Sequence, residues 1–200
     1  KSITNNICPD DCSQCYDYAD VVDNPRINNQ SGNKNHNRYH NEARSTGKMH
    51  DGVDILAVAG TNVHAMMCGE VIHIRTDLPQ DELHKGRASK GYEAGSYGNT
   101  ITIKSKDKEG NVIYLYYAHM SKINVTVGQK IKHGKIIGLS GSTGNAMAVD
   151  VIYRHVHMEA GTSYKIYGGA NGNLKCKLYG TMSAEKFMKT KFDSKGNPIK

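Results

Sequence analysis

From Met49 to Gly161 the chain alternates apolar and polar residues in short bursts separated by glycine. Val63 to Ala65, Glu70 to Ile74, Asn99 to Lys104 and Val112 to His119 carry β-branched or aromatic residues at strand spacing. Val53 to Ala59 is a short apolar run ending in the Gly60-Thr61-Asn62 turn. Asp107-Lys108-Glu109-Gly110-Asn111 reads as a hairpin turn, and Val125 to Gly138 as β-branched pieces punctuated by glycine. Gly141-Ser142-Thr143-Gly144-Asn145 lacks the lysine and the helix of a phosphate loop and reads as a turn. Only Met182 to Lys191 has amphipathic helical spacing. The predicted fold is mainly β: a curved antiparallel sheet, a Gly-rich coil of short strands against it, and one short C-terminal helix.

The same pattern divides the chain. Residues 1–43 are polar and Asn-rich, a turn-forming N-terminal extension that needs cysteine cross-links or packing to be ordered. Residues 44–161 form the core, interrupted at 75–98 by an aperiodic insertion that reads as a wall of a substrate groove. Residues 162–200 are a C-terminal extension. No apolar run approaches the roughly 20 residues that span a bilayer, so no membrane span is expected. The first residue, Lys1, is followed by no apolar leader core, which predicts a processed or excised piece whose export is not legible.

Composition changes the picture little. The formal net charge of +7 suits a polyanion, but the lysines are scattered and no nucleic-acid motif accompanies them. A nucleic-acid partner is therefore not expected. Five cysteines are an odd count: Cys8, Cys12 and Cys15 cluster, and Cys68 and Cys176 stand apart. The cluster lacks the second C-x-x-C knuckle of a typical structural zinc site, so disulfides with one thiol left over are the preferred reading.

The chemistry gathers around Tyr153-Arg154-His155-Val156-His157-Met158-Glu159. On a strand, residues i and i+2 share a face, so His155 and His157 project together. An apolar strand has no use for two adjacent imidazoles, whereas a metal does. His50-Asp51-Gly52-Val53-Asp54 enters an apolar strand from a loop, and Tyr117-Ala118-His119 closes another. Two imidazoles and a carboxylate are a common donor set for catalytic zinc. Glu159 falls on the His155/His157 face, either behind a ligand histidine or, the preferred reading, as the polar side of the strand. His36, His40 and His84 read as exposed, and His64, His73 and His133 as surface or satisfied structural residues.

Together, Arg44, His50-x-Gly-x-Asp54, Tyr117-Ala118-His119-Met120-Ser121, Val125 to Gly138, Gly141 to Asn145 and His155-Val156-His157-Met158-Glu159 make residues 44–161 resemble the lysostaphin/LytM-type zinc endopeptidases of bacterial peptidoglycan. The resemblance implies His50, Asp54 and His157 as zinc ligands, and His119 and His155 as catalytic histidines. One of the pair would act as general base and acid, the other as orienter of water or stabiliser of an oxyanion. It implies Zn2+ as cofactor, peptidoglycan as substrate, and a secreted, periplasmic or envelope location. A toxin of this type would have an immunity protein as partner. Arg154 departs from the family, which usually has proline there, and puts the shape of the groove in question. The rival expectation is a non-catalytic wall-binding or amidase-activating module with the same fold.

Overall fold

The computed structural model describes residues 8–9, 12, 15–29, 36–41, 43–44, 46–81, 86–168 and 173–199; His84 lies outside them. Among the described residues ten strands follow one another: β1 (Val53–Leu56), β2 (Asn62–His64), β3 (Gly69–Arg75), β4 (Asn99–Lys106), β5 (Val112–Ile123), β6 (Lys130–Ile131), β7 (Ile136–Ser140), β8 (His155–Gly161), β9 (Ser163–Gly168) and β10 (Leu174–Tyr179). Eight form one antiparallel sheet whose central path is β1-β8-β5-β4-β3-β6, with β7 joined to β5 and β2 to β7. The short Gly-punctuated strands are thus hydrogen-bonded into the main sheet.

Strand β8 is buried at every position because β1 and β5 flank it and both of its faces are covered. Val156, Met158 and Ala160 enter the main apolar core with Val53, Ile55, Ile101, Leu115 and Tyr117. Alternation sends His155, His157 and Glu159 to the opposite face, where they are also buried. A strand with one apolar and one ionisable face, both away from water, needs partners for every polar atom.

The N-terminal extension packs closely against this core. Val21, Val22 and Ile27 are buried within the core cluster. Asn28 N–H donates to the Asp54 carbonyl (2.8 Å), Leu56 N–H to Arg26 (2.9 Å) and Asp54 N–H to Asn37 (2.9 Å). The extension therefore covers the outer edge of β1, which would otherwise expose a row of unpaired backbone groups. The disulfides Cys8–Cys15 and Cys12–Cys68 tie its beginning to the entry of β3, and Cys176 remains a buried free thiol.

The C-terminal pattern misleads in two places. Met182 to Lys191 forms no amphipathic α-helix; a single 3-10 turn, Ala184–Phe187, does the packing, with Phe187 and Met188 reaching the core. Its length is set by burial of those two residues, and no longer apolar face exists to stabilise further turns. The stretch after Gly161, for which the sequence pattern gives no strands, contains the β9–β10 hairpin, paired from Ser163↔Tyr179 to Gly168↔Leu174. Its strands are mostly exposed, so the usual apolar alternation is diluted by lysine and tyrosine.

Because Ile27 is 2 % exposed and bridges to Ile55, Ile27→Ala should lower unfolding free energy by ~2–5 kcal/mol. Urea denaturation followed by circular dichroism checks this. A change below ~0.5 kcal/mol would mean that the extension is not part of the cooperative core.

Candidate metal centre

Strand register assembles the site. In the β1–β8 ladder Asp54 lies opposite His157 and Leu56 opposite His155, while in the β5–β8 ladder Ala118 lies opposite His157. His50 arrives from the loop before β1, which comes close because residue 52 is glycine. A Cβ on Gly52 would strike the Met158 carbonyl and lie 2.7 Å from the His157 ring.

One atom from each of His50, Asp54 and His157 lies within 4.8 Å of the others. His157 Nδ1 is 2.8 Å from Asp54 Oδ1 and 3.1 Å from His50 Nε2, and His50 Nε2 is 3.3 Å from the same carboxylate oxygen. All three residues are buried. Two imidazole nitrogens and a carboxylate oxygen converging at these separations match the spacing of donors around an ion bound at about 2.0–2.2 Å. Without a cation or a proton, their lone pairs repel.

The electrostatics agree. Burial opposes charge on His157, yet hydrogen bonds with Asp54 and Glu159 outweigh it and push the imidazole up to about 9. Burial lowers His50, keeping a neutral imidazole with a lone pair to offer. Burial alone would raise Asp54; the neighbouring charges of His155 and His50 and the hydrogen bonds from His157 and His50 hold it well below the usual carboxylate range. A field that draws a proton onto His157 also favours a metal cation.

Glu159 is behind His157 and not merely the strand's polar side: its Oε1 accepts from His157 Nε2 at 2.9 Å, which leaves Nδ1 facing Asp54. This is the carboxylate–histidine support common behind metal ligands. Tyr97, which sequence reasoning passed over, stacks on the His157 ring at 4.6 Å and 14° and hydrogen-bonds Glu159. It lies in the aperiodic 75–98 segment, where only its proximity to the Gly98 turn and β4 could have hinted at a role.

His119 and His155 flank the trio, with ring centroids 5.1 Å apart. His119 Nδ1 is 2.8 Å from the Thr143 carbonyl and His155 Nδ1 is 2.9 Å from the Tyr153 carbonyl. A carbonyl only accepts, so each Nδ1 carries the proton and each Nε2 is left for the site. His155 Nε2 lies 3.6 Å from Asp54 Oδ1. His119 adopts φ +61°, a left-handed backbone uncommon for a non-glycine residue, at an irregularity in the β4–β5 ladder. Burial and the neighbouring His155 and His157 charges push its pKa well below the ordinary histidine value.

The five residues open onto a polar cleft of about 660 Å3, also lined by Arg44, Arg87, Tyr92, Tyr97 and Asn145. Arg44 Nη2 is 3.7 Å from Asp54 Oδ2. The described part of the 75–98 segment lines this cleft through Arg87, Tyr92, Gly95 and Tyr97. It is held by buried Arg75, which donates to Asp77 (2.6 Å), Glu93 (2.6 Å) and Ser96 (3.1 Å). Arg154, where the resemblance leads to the expectation of proline, sits at φ −61°, a value that proline also adopts. Of the other histidines, His40 stays exposed and meets Asp51 at 3.0 Å, and His133 contacts Cys15. His73 is buried, its Nδ1 lacks a hydrogen-bond partner, and burial lowers its pKa.

A buried His–carboxylate–His cluster that could hold a cation, with two further imidazoles beside it on an antiparallel sheet at the floor of a cleft, has the donor set used by metal-dependent hydrolases. The chain belongs to peptidase family M23: residues 48–167, more than half of the chain, match that family. It is 34 % identical over 113 residues to lysostaphin of Staphylococcus simulans, covering 56 % of this chain and 18 % of lysostaphin. It is 32 % identical over 117 residues to the glycyl-glycine endopeptidase ALE-1 of Staphylococcus capitis, covering 58 % and 26 % respectively. The chain thus spans about a quarter or less of these relatives' length. The solved catalytic domain of S. simulans lysostaphin aligns with 66 % of this chain and 80 % of its own, at 31 % identity and a TM-score of 0.42. Among the described residues no helix is long and apolar enough to cross a membrane.

Two outcomes follow from this geometry. Gly52→Ala should push the loop off β8 and lower zinc affinity, by at least the ~10–100-fold typical when support behind a ligand is lost; competition with a chromogenic chelator measures it, and unchanged affinity would contradict the close approach. In chelator-treated protein, the raised pKa of His157 adds stability that is full below its unfolded value near 6.5 and is lost as pH rises through about 9. Melting temperatures across that window should fall, and His157→Ala should flatten this part of the profile.

Proposed function

We propose that this chain is a zinc-dependent endopeptidase that hydrolyses peptide bonds in the stem peptides or cross-bridges of peptidoglycan. The observation that carries the reading is the convergence of His50, Asp54 and His157 beside the two inward-facing Nε2 atoms of His119 and His155. Membership of family M23 and the named activities of lysostaphin and of the glycyl-glycine endopeptidase support the substrate class.

In this reading His50 Nε2, Asp54 Oδ1 and His157 Nδ1 hold the ion. Bound zinc would supply Lewis acidity, polarising the scissile carbonyl and making water acidic enough to attack near neutral pH. His155 Nε2 takes the proton from the attacking water and later delivers it to the leaving amine, and the charge it carries meanwhile is offset by the Asp54 carboxylate 3.6 Å away. His119 suits a different task. Its Nδ1 proton is committed to Thr143 and burial resists a second proton, so Nε2 remains an acceptor that orients water. Tyr97 and Glu159 fix the ring of His157 from behind, and Arg87 and Tyr92 line the groove where a peptide would lie.

Purified sacculi provide the test. The native chain should release new amines and carry about one zinc, and Asp54→Ala should lose the metal. His155→Ala and His119→Ala should keep zinc yet lower turnover by ~10²–10⁴-fold. Full turnover by His155→Ala with zinc bound would remove its role as proton carrier. Zinc binding without any amine release would favour the wall-binding module.

A further inference from the structure

Another cavity, of about 480 Å3, adjoins the cleft of the candidate metal centre: Lys48, Asp51, Gly95 and Tyr97 line both. From that shared wall it continues to the β9–β10 hairpin, where Lys175 and Lys177 line it. Family M23 matches residues 48–167, so β10, Leu174–Tyr179, lies outside the match. This side of the cavity is therefore not part of what the match accounts for. Two of its side chains also touch the metal centre. Tyr97 stacks on the His157 ring at 4.6 Å, and Glu159 accepts from His157 Nε2 at 2.9 Å.

The charges of its lining separate by partner. Arg75 is committed to Asp77 and Glu93, and Lys175 to Glu93 at 2.9 Å, so these four groups largely cancel. The two carboxylates of the lining are engaged as well, Glu159 by His157 and Asp51 by His40 at 3.0 Å. Lys48 and Lys177 pair with no carboxylate among the described residues; Lys177 Nζ lies over the Tyr179 ring, 5.5 Å from its centroid. Both lysines are exposed and lie along the cavity. The adjoining cleft adds Arg87, and Arg44 beside Asp54. Cations of one sign along a cavity with low-dielectric walls attract an anion more strongly than the same charges on a flat surface.

We propose that this cavity is a carboxylate-binding subsite, in which Lys48 and Lys177 receive a free carboxylate of the peptide held at the metal centre. The inference rests on the endopeptidase reading and narrows its substrate to stem peptides that carry free carboxylates, in preference to an uncharged glycine bridge. An extended peptide advances about 3.3 Å per residue, so one that spans both chambers presents residues beyond the scissile bond to the lysines. Selection is then by charge. A carboxamide has nearly the size of a carboxylate but gives the two ammonium groups no opposite charge to replace their water. Lys175 serves differently: its bond to Glu93 braces β10 against the 75–98 segment and holds the cavity open between them.

Two forms of one cross-linked stem-peptide dimer provide the test, the first with its carboxylates free and the second with them converted to carboxamides. Fluorescence anisotropy on the zinc-loaded, full-length His155→Ala chain reads binding without cleavage. The free-carboxylate dimer should bind ~10-fold tighter or more, the gain of roughly one charge-assisted hydrogen bond. In the same background Lys48→Met/Lys177→Met should bring the two forms within ~2-fold, the residue left by remoter surface charges. Lys48→Arg/Lys177→Arg should keep the preference, and added salt should shrink it. Equal binding of the two dimers, binding of neither, a preference that survives the methionine variant, or one lost in the arginine variant overturns the proposal. Cleavage by the native chain is scored separately. A binding preference without cleavage of either dimer removes the endopeptidase reading and leaves a carboxylate site; cleavage of both without a preference removes the subsite and leaves that reading.

Discussion

The site depends above all on the pairing of Asp54 with His157 across the β1–β8 ladder. Direct opposition in an antiparallel ladder sets a carboxylate and an imidazole within about a side-chain length of each other before any ion is present. The same β8 residue lies opposite Ala118 on β5, so the third strand brings His119 to the cluster's edge. A slip of one residue in either ladder would turn Val156 and Met158 toward the cleft and bury the imidazoles in the apolar core. Core packing of Val156, Met158 and Ala160 therefore enforces the chemistry as well as the fold.

Keeping so many ionisable groups away from water is expensive unless each is paired. The structure meets this cost with polar contacts layered behind the cluster. Glu159 accepts from His157, Tyr97 covers that pair, and the carbonyls of Thr143 and Tyr153 take the Nδ1 protons of His119 and His155. The left-handed backbone of His119 fits the same logic, because it places a side chain where a regular strand would not. These contacts settle which nitrogen of His119, His155 and His157 faces the cleft, while His50 Nδ1 is buried without a hydrogen-bond partner.

The terminal segments outside the family match add to the core, and the 75–98 segment within it adds to the wall. The N-terminal extension caps the edge of β1 and adds Val21, Val22 and Ile27 to the core, while the turn near Phe187 closes it from the other terminus. The insertion is pinned by the buried Arg75, whose carboxylate partner Glu93 also meets Lys175 of β10 at 2.9 Å. Insertion and hairpin are thereby tied together beside the cleft, so the groove wall is a braced surface.

Strand positions in the core, the hairpin turn at 107–111 and the face shared by His155 and His157 were legible in the sequence, because period-two alternation and turn chemistry are local. The His50–Asp54 spacing and the Tyr-Ala-His segment were legible as chemistry for the same reason, and the family pattern joined them. The β9–β10 hairpin was hidden because β9 is exposed throughout and β10 buries only Cys176 and Leu178, and the C-terminal helix was overread because a short apolar spacing says nothing about how much core is available to it. Only the tertiary structure decided that Glu159 supports His157, that Tyr97 stacks on it, and that Cys12 meets Cys68. Those contacts join residues far apart in the chain or depend on which way a ring is turned, and no local period encodes either.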